Sequence, residues 1–188
     1  MWLQRFGASC GVLLGLTIAL PGAVEAFTGE TAATGLVLGL GTALAAPAAT
    51  ALYLHQREKA GRFGAAAYAV HLLGLGLFTG VAFALNVVLF YLDPAAVAAL
   101  KAGPTGPALL GCAGVFVLGT LLFGVSLLRA GVFPRLPSAG YGLALTLLAA
   151  LAPLDDTPWT SLVHVVAGAS VTWLSLVALP AARAVQVA

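Results

Sequence analysis

The chain has 188 residues, 61% of them hydrophobic and only 7% charged, and eight Lys and Arg against six Asp and Glu leave a net charge of +2. A mean hydropathy of +1.07 leaves too little polar surface for a water-soluble globule, so the expected solvent is lipid. The small, scattered positive charge excludes a nucleic-acid binder, and loops of at most about 15 residues exclude a separate soluble domain, which needs roughly 50.

Six apolar runs follow in chain order and predict an all-α fold, a polytopic transmembrane helical bundle forming a single domain over 1–188. The first, 6–24, carries Gly7, Gly11 and Gly15 on one helix face, a small-residue ridge that lets another helix approach closely. A competing reading makes this run a signal peptide, with Arg5 in the charged leader, 11–20 as the apolar stretch and cleavage at Val24-Glu25-Ala26. Cleavage would leave five spans. The ridge argues for a retained helix, since a discarded peptide has no packing to do. The second run, 31–54, places Gly35 and Gly39 on one face and Pro47 late, where the missing N–H predicts a kink or an early helix end. The third, 63–92, exceeds what the bilayer requires and carries Gly76 with Gly80. Pro94, Pro104 and Pro107 then separate it from the fourth, 108–128. The fifth, 139–154, holds Pro153 near its end, and the sixth is 159–179. At about 1.5 Å per residue each run can cross about 30 Å of hydrocarbon, the fifth only if it stands upright or thins the bilayer.

Charge then predicts orientation in the cell membrane, because Lys and Arg in short loops stay on the cytoplasmic side. With the N- and C-termini inside, Arg5, Arg57, Lys59, Arg62, Arg129, Arg135 and Arg183 are cytoplasmic and Lys101 alone is outside. Glu25, Glu30, Asp93, Asp155 and Asp156 fall on the outer face, with Glu58 the exception. Cys10 and Cys112 sit in apolar runs near opposite faces, so no disulfide is expected between them, and no Cys/His spacing points to a metal.

Polar side chains within lipid are costly, which makes His71, Asn86 and His164 the leading intramembrane candidates. The hydroxyls Thr79, Thr120, Ser126, Thr146, Ser170 and Thr172 can satisfy themselves on their own helix backbone. A bis-histidine haem needs both ligands at one depth, whereas the topology separates His71 and His164 by more than about 10 Å along the membrane normal. No cofactor is therefore expected. A ligand site at the outer face is the more coherent grouping: Asn86, Tyr91 and Asp93 ending the third span, with Asp155, Asp156, Trp159, Ser161 and His164 opening the sixth. Carboxylates beside an imidazole supply what a general base or a divalent-cation site requires, although Asp93, Asp155 and Asp156 also suit loops and helix caps.

The segment Leu127-Leu128-Arg129-Ala130-Gly131-Val132-Phe133-Pro134-Arg135, followed by a glycine-rich span, resembles the fourth loop of uncharacterised bacterial multi-pass membrane proteins. That resemblance implies a six-span membrane protein and no particular activity. Three functional classes follow. The leading one is a non-catalytic bundle, with the lipid bilayer as solvent, that assembles with a partner membrane subunit or a second copy of itself. A small transporter or channel using His71 and His164 comes next, and an intramembrane enzyme or ligand-binding protein with an outer-face site last. A transporter predicts a polar cavity reaching mid-bilayer; an assembly factor predicts a solid core and an apolar flank lined by glycine.

Overall fold

The computed structural model describes residues 2–152 and 157–179, and among these there is helix and no strand. Helix α1 spans Trp2–Thr28 and α2 spans Ala32–Gly41, entered through a reciprocal capping box between Thr31 and Thr34. A 3-10 turn over Thr42–Leu44 joins α2 to α3, Ala45–Phe83. Pro47 stands just after this turn, so the backbone tightens there and the helix then continues instead of ending. A π turn over Ala84–Val88 and a 3-10 turn over Leu89–Tyr91 complete that stretch. Next come α4 (Pro94–Ala102), α5 (Thr105–Ala130), α6 (Arg135–Leu151) and α7 (Pro158–Ala178). Four stretches are long and apolar enough to cross a membrane: Trp2–Thr28, Ala32–Tyr91, Thr105–Ala130 and Pro158–Ala178.

The second of these stretches folds back on itself. Gly61 adopts φ 57° and ψ −156°, a conformation open essentially to glycine alone, and α3 reverses there. The two arms then pack antiparallel: Thr50 Oγ1 and Tyr68 OH share a 2.8 Å hydrogen bond, the Tyr53 and Tyr68 rings stack at 4.3 Å, and Thr79 Oγ1 donates to Thr42 O at 3.4 Å. The polar segment 55–62 is thus helical except at one residue. A similar economy governs the Leu127–Arg135 motif. Gly131, at φ 66°, closes α5 in the left-handed conformation, Pro134 opens α6, and Phe133 tucks under the turn against His55.

The helical segments form a ring in chain order. Gly11 faces Ser175 and Gly22 faces His164, which sets α1 against α7; Gly7 faces Pro47 and Ala51 on α3. Gly74 and Gly119 join the second arm of α3 to α5, Gly124 meets Gly142 between α5 and α6, and Gly140 meets Ser170 between α6 and α7. Small residues face inward at these crossings, while Leu13, Leu20, Leu73, Leu118, Leu143 and Leu176 are exposed on the outside. This is the arrangement expected in lipid, where close packing and not apolar burial holds helices together. Glu25, Glu30, Asp93 and Lys101 mark one end of the ring; Arg5, Arg57, Lys59, Arg62, Arg129 and Arg135 mark the other, called here the acidic and basic ends.

Of the glycines expected to mediate packing, Gly7, Gly11 and Gly15 meet α3 and α7, while Gly35 and Gly39 meet Asn86 and Val87 of the π turn. Gly76 and Gly80 lie on the outward face of α3, with no atom within 4 Å of where a Cβ would stand.

Candidate functional site

The basic half of the ring is filled. Leu52, Phe123, Leu127 and Leu174 are fully buried there, and so is Gln56, whose Nε2 donates to Ser126 Oγ at 3.3 Å while its Oε1 has no partner. The acidic half encloses a cavity of about 440 Å³. Its floor is built mainly from apolar Leu14, Ala48, Leu52, Leu75, Phe116 and Leu145, and the hydroxyl-bearing Thr42, Thr79 and Tyr141 also line the cavity. Its upper wall and rim gather Glu25, Glu30, Asn86, Lys101, Thr160 and His164. Glu30, Phe90, Lys101 and Ala152 are exposed, so the cavity widens toward the acidic end.

Local structure explains each rim position. Helix α1 runs on past its apolar run to Thr28, which puts Glu25 in its last turn with only 6% of its surface exposed. Glu25 Oε1 has no hydrogen-bond partner. The short helix α4, capped by Asp93 accepting from Ala95 N at 2.8 Å, brings Val97 and Lys101 onto one face above the cavity. The π turn presents Leu85, Asn86, Leu89 and Phe90 to the cavity with its neighbouring 3-10 turn, and Asn86 Nδ2 donates back to Ala82 O at 2.8 Å. His164 Nδ1 lies 2.9 Å from Thr160 O; a carbonyl only accepts, so Nδ1 carries the proton and Nε2 is the remaining polar atom.

His71 is fully buried behind the cavity floor. Its Nε2 is 2.7 Å from Tyr141 OH and its Nδ1 3.4 Å from Thr120 Oγ1, and its ring stacks on Phe123 at 5.0 Å. The crossing of α3 and α5 makes this possible: a Cβ on Gly119 would stand 2.6 Å from His71 Cα, and one on Gly74 would stand 2.7 Å from Phe116 Cα. His71 is thereby an interhelical clamp joining α3, α5 and α6, whereas His164 belongs to the rim.

The proposed outer-face residues are divided by this geometry. Asn86 and His164 line the cavity together, Asp93 is occupied as the α4 cap, and Asp155 and Asp156 lie outside the described residues, as does Pro153. Glu25 and Tyr141 join the site without having stood out as ligand groups in the sequence. Among the described residues no group of three His, Cys, Asp or Glu side chains is placed to hold a metal. No protein-family model matches the chain, and no curated protein or solved structure matches it either.

Proposed function

We propose that the chain is a six-span protein of the cell membrane, both termini cytoplasmic, that binds one amphiphilic, lipid-like molecule in the cavity at its outer face. The reversal at Gly61 divides Ala32–Tyr91 into two lengths, and α6 supplies the sixth crossing. The clustering of Arg and Lys at one end favours that end as cytoplasmic. The observation that carries the reading is the cavity itself: about 440 Å³, apolar at depth and polar at the rim. That volume falls within the roughly 300–1,000 Å³ of typical ligand sites, which pair apolar walls with a few placed polar groups. The filled basic half argues for binding from one side and against a continuous pore.

Neither alternative signature fits as well. The cavity does reach the middle of the bundle, but its depth is apolar, where a transporter of polar solutes needs polar lining. The Gly7, Gly11 and Gly15 ridge is covered by the chain's own helices and offers no flank to a partner. One observation does favour association with a partner subunit or a second copy: Gly76 and Gly80 face outward beside exposed Leu73 and Leu77.

Native mass spectrometry of the gently extracted protein tests the proposal. The expected result is one small-molecule mass per chain, lost in Leu148→Trp, which fills the cavity from α6. A stoichiometric partner chain with no small-molecule mass overturns it in favour of association.

A further inference from the structure

Resting on that reading, we infer that the guest carries an ammonium group and that Glu25 is its counter-ion. Glu25 is more than nine-tenths buried, lines the cavity and has an oxygen with no hydrogen-bond partner. A carboxylate taken out of water without a partner is costly, and three features of the site make a cation the fitting partner. The first is its seat: Gly22, one turn earlier, packs directly on His164, so the end of α1 is pinned to α7. The second is its helix position. It lies in the last turn of α1, and Gly29 N bonds to its carbonyl at 2.9 Å; the partial negative charge of a helix C-terminus disfavours a carboxylate there and favours a cation beside it. The third is the company it keeps. Asn86, Thr160 and His164 are polar groups of the same cavity, Glu30 adds a second acid, and Lys101, the one Lys or Arg among the described lining residues, is exposed on α4, where water can satisfy it. A guest entering from the outer face with its chain in the apolar floor sets its head beside these residues. An ammonium head supplies the missing partner, and the low dielectric of the cavity strengthens that pair.

The test uses the full chain in lipid nanodiscs, read by native mass spectrometry with dodecylammonium, dodecanol and dodecyl phosphate as probes of equal chain length. The intact protein is expected to bind the ammonium probe about tenfold to a hundredfold more tightly than the alcohol, and the phosphate most weakly. Glu25→Gln keeps shape and hydrogen-bonding capacity, and it is expected to bring the ammonium probe down to the alcohol's affinity while leaving the alcohol unchanged. Equal binding of all three probes, or an undiminished ammonium preference in Glu25→Gln, overturns the assignment and leaves the amphiphile reading standing. Absence of stoichiometric binding by any probe removes the amphiphile reading itself, and the assignment with it. If Glu25→Gln fails to fold, the ranking of the probes on the unaltered chain decides.

Discussion

Removing a single hydroxyl tests the His71 clamp. Tyr141→Phe keeps the aromatic ring, which meets His71 edge-on at 5.7 Å and Phe123 at 5.9 Å, and deletes only the oxygen 2.7 Å from His71 Nε2. Interhelical hydrogen bonds in membrane bundles average about 0.6 kcal/mol and reach about 1.7. This bond belongs near the upper end: His71 is fully buried, so no water replaces the lost partner, and Thr120 contacts only the other nitrogen at 3.4 Å. The expected loss is about 1–2 kcal/mol for Tyr141→Phe and under about 0.5 kcal/mol for Thr120→Val. The assay is reversible unfolding in mixed micelles, followed by circular dichroism, on Tyr141→Phe, His71→Leu and the double variant. A coupling energy of about 1 kcal/mol between the two sites is expected from the double-mutant cycle. Additive losses, with a coupling below about 0.3 kcal/mol, would refute the idea that these side chains act as one clamp.

Gly119→Ala should destabilise by about 1–3 kcal/mol, because its methyl group meets His71 backbone at 2.6 Å and the helices must part; the same unfolding curves measure it. Gly76→Ala is the matched control: with nothing within 4 Å it should gain about 0.5–1 kcal/mol from helix propensity, and a loss instead would reveal a partner on that face. Gly61→Ala forces a side chain into a glycine-only conformation and should cost about 1–3 kcal/mol, with a matching fall in melting temperature. His55, at the basic end against Phe133, has its pKa lowered by burial. The fold therefore favours neutral imidazole, so the stability it contributes is complete above the usual histidine range and is lost as pH falls through the depressed value; His55→Gln should flatten the slope of stability between about pH 7 and 5.

The apolar runs were legible because lipid demands long uninterrupted hydrophobic helices, and Asp93 was readable as a helix cap from its short acceptor side chain. What escaped was governed by tertiary detail. Polar residues over 55–62 look like a loop, yet one glycine suffices for the reversal, and the continuing helix carries Gln56 into the core. Glu25 reads as an outer-loop acid until α1 is seen to run to Thr28. Residue type alone suits Tyr141 to the membrane interface; its burial follows from the crossings at its neighbours, where Gly140 meets Ser170 and Gly142 meets Gly124. Helix α4 was hidden by the prolines around it, one of which, Pro94, opens it.

The π turn over Ala84–Val88 has a bearing on how this chain tolerates change. A π turn holds one residue more than the α-helical path, and each residue of an α-helix is worth about 100° of rotation. The side of the helix on which Leu89 and Phe90 emerge is therefore set by how many residues precede them as much as by which residues they are. Excising one residue from this turn would restore a regular helix and swing both side chains away from the cavity wall without altering the chemistry of any of them. Substitution scanning would pass over such a position, whereas a deletion scan would find it.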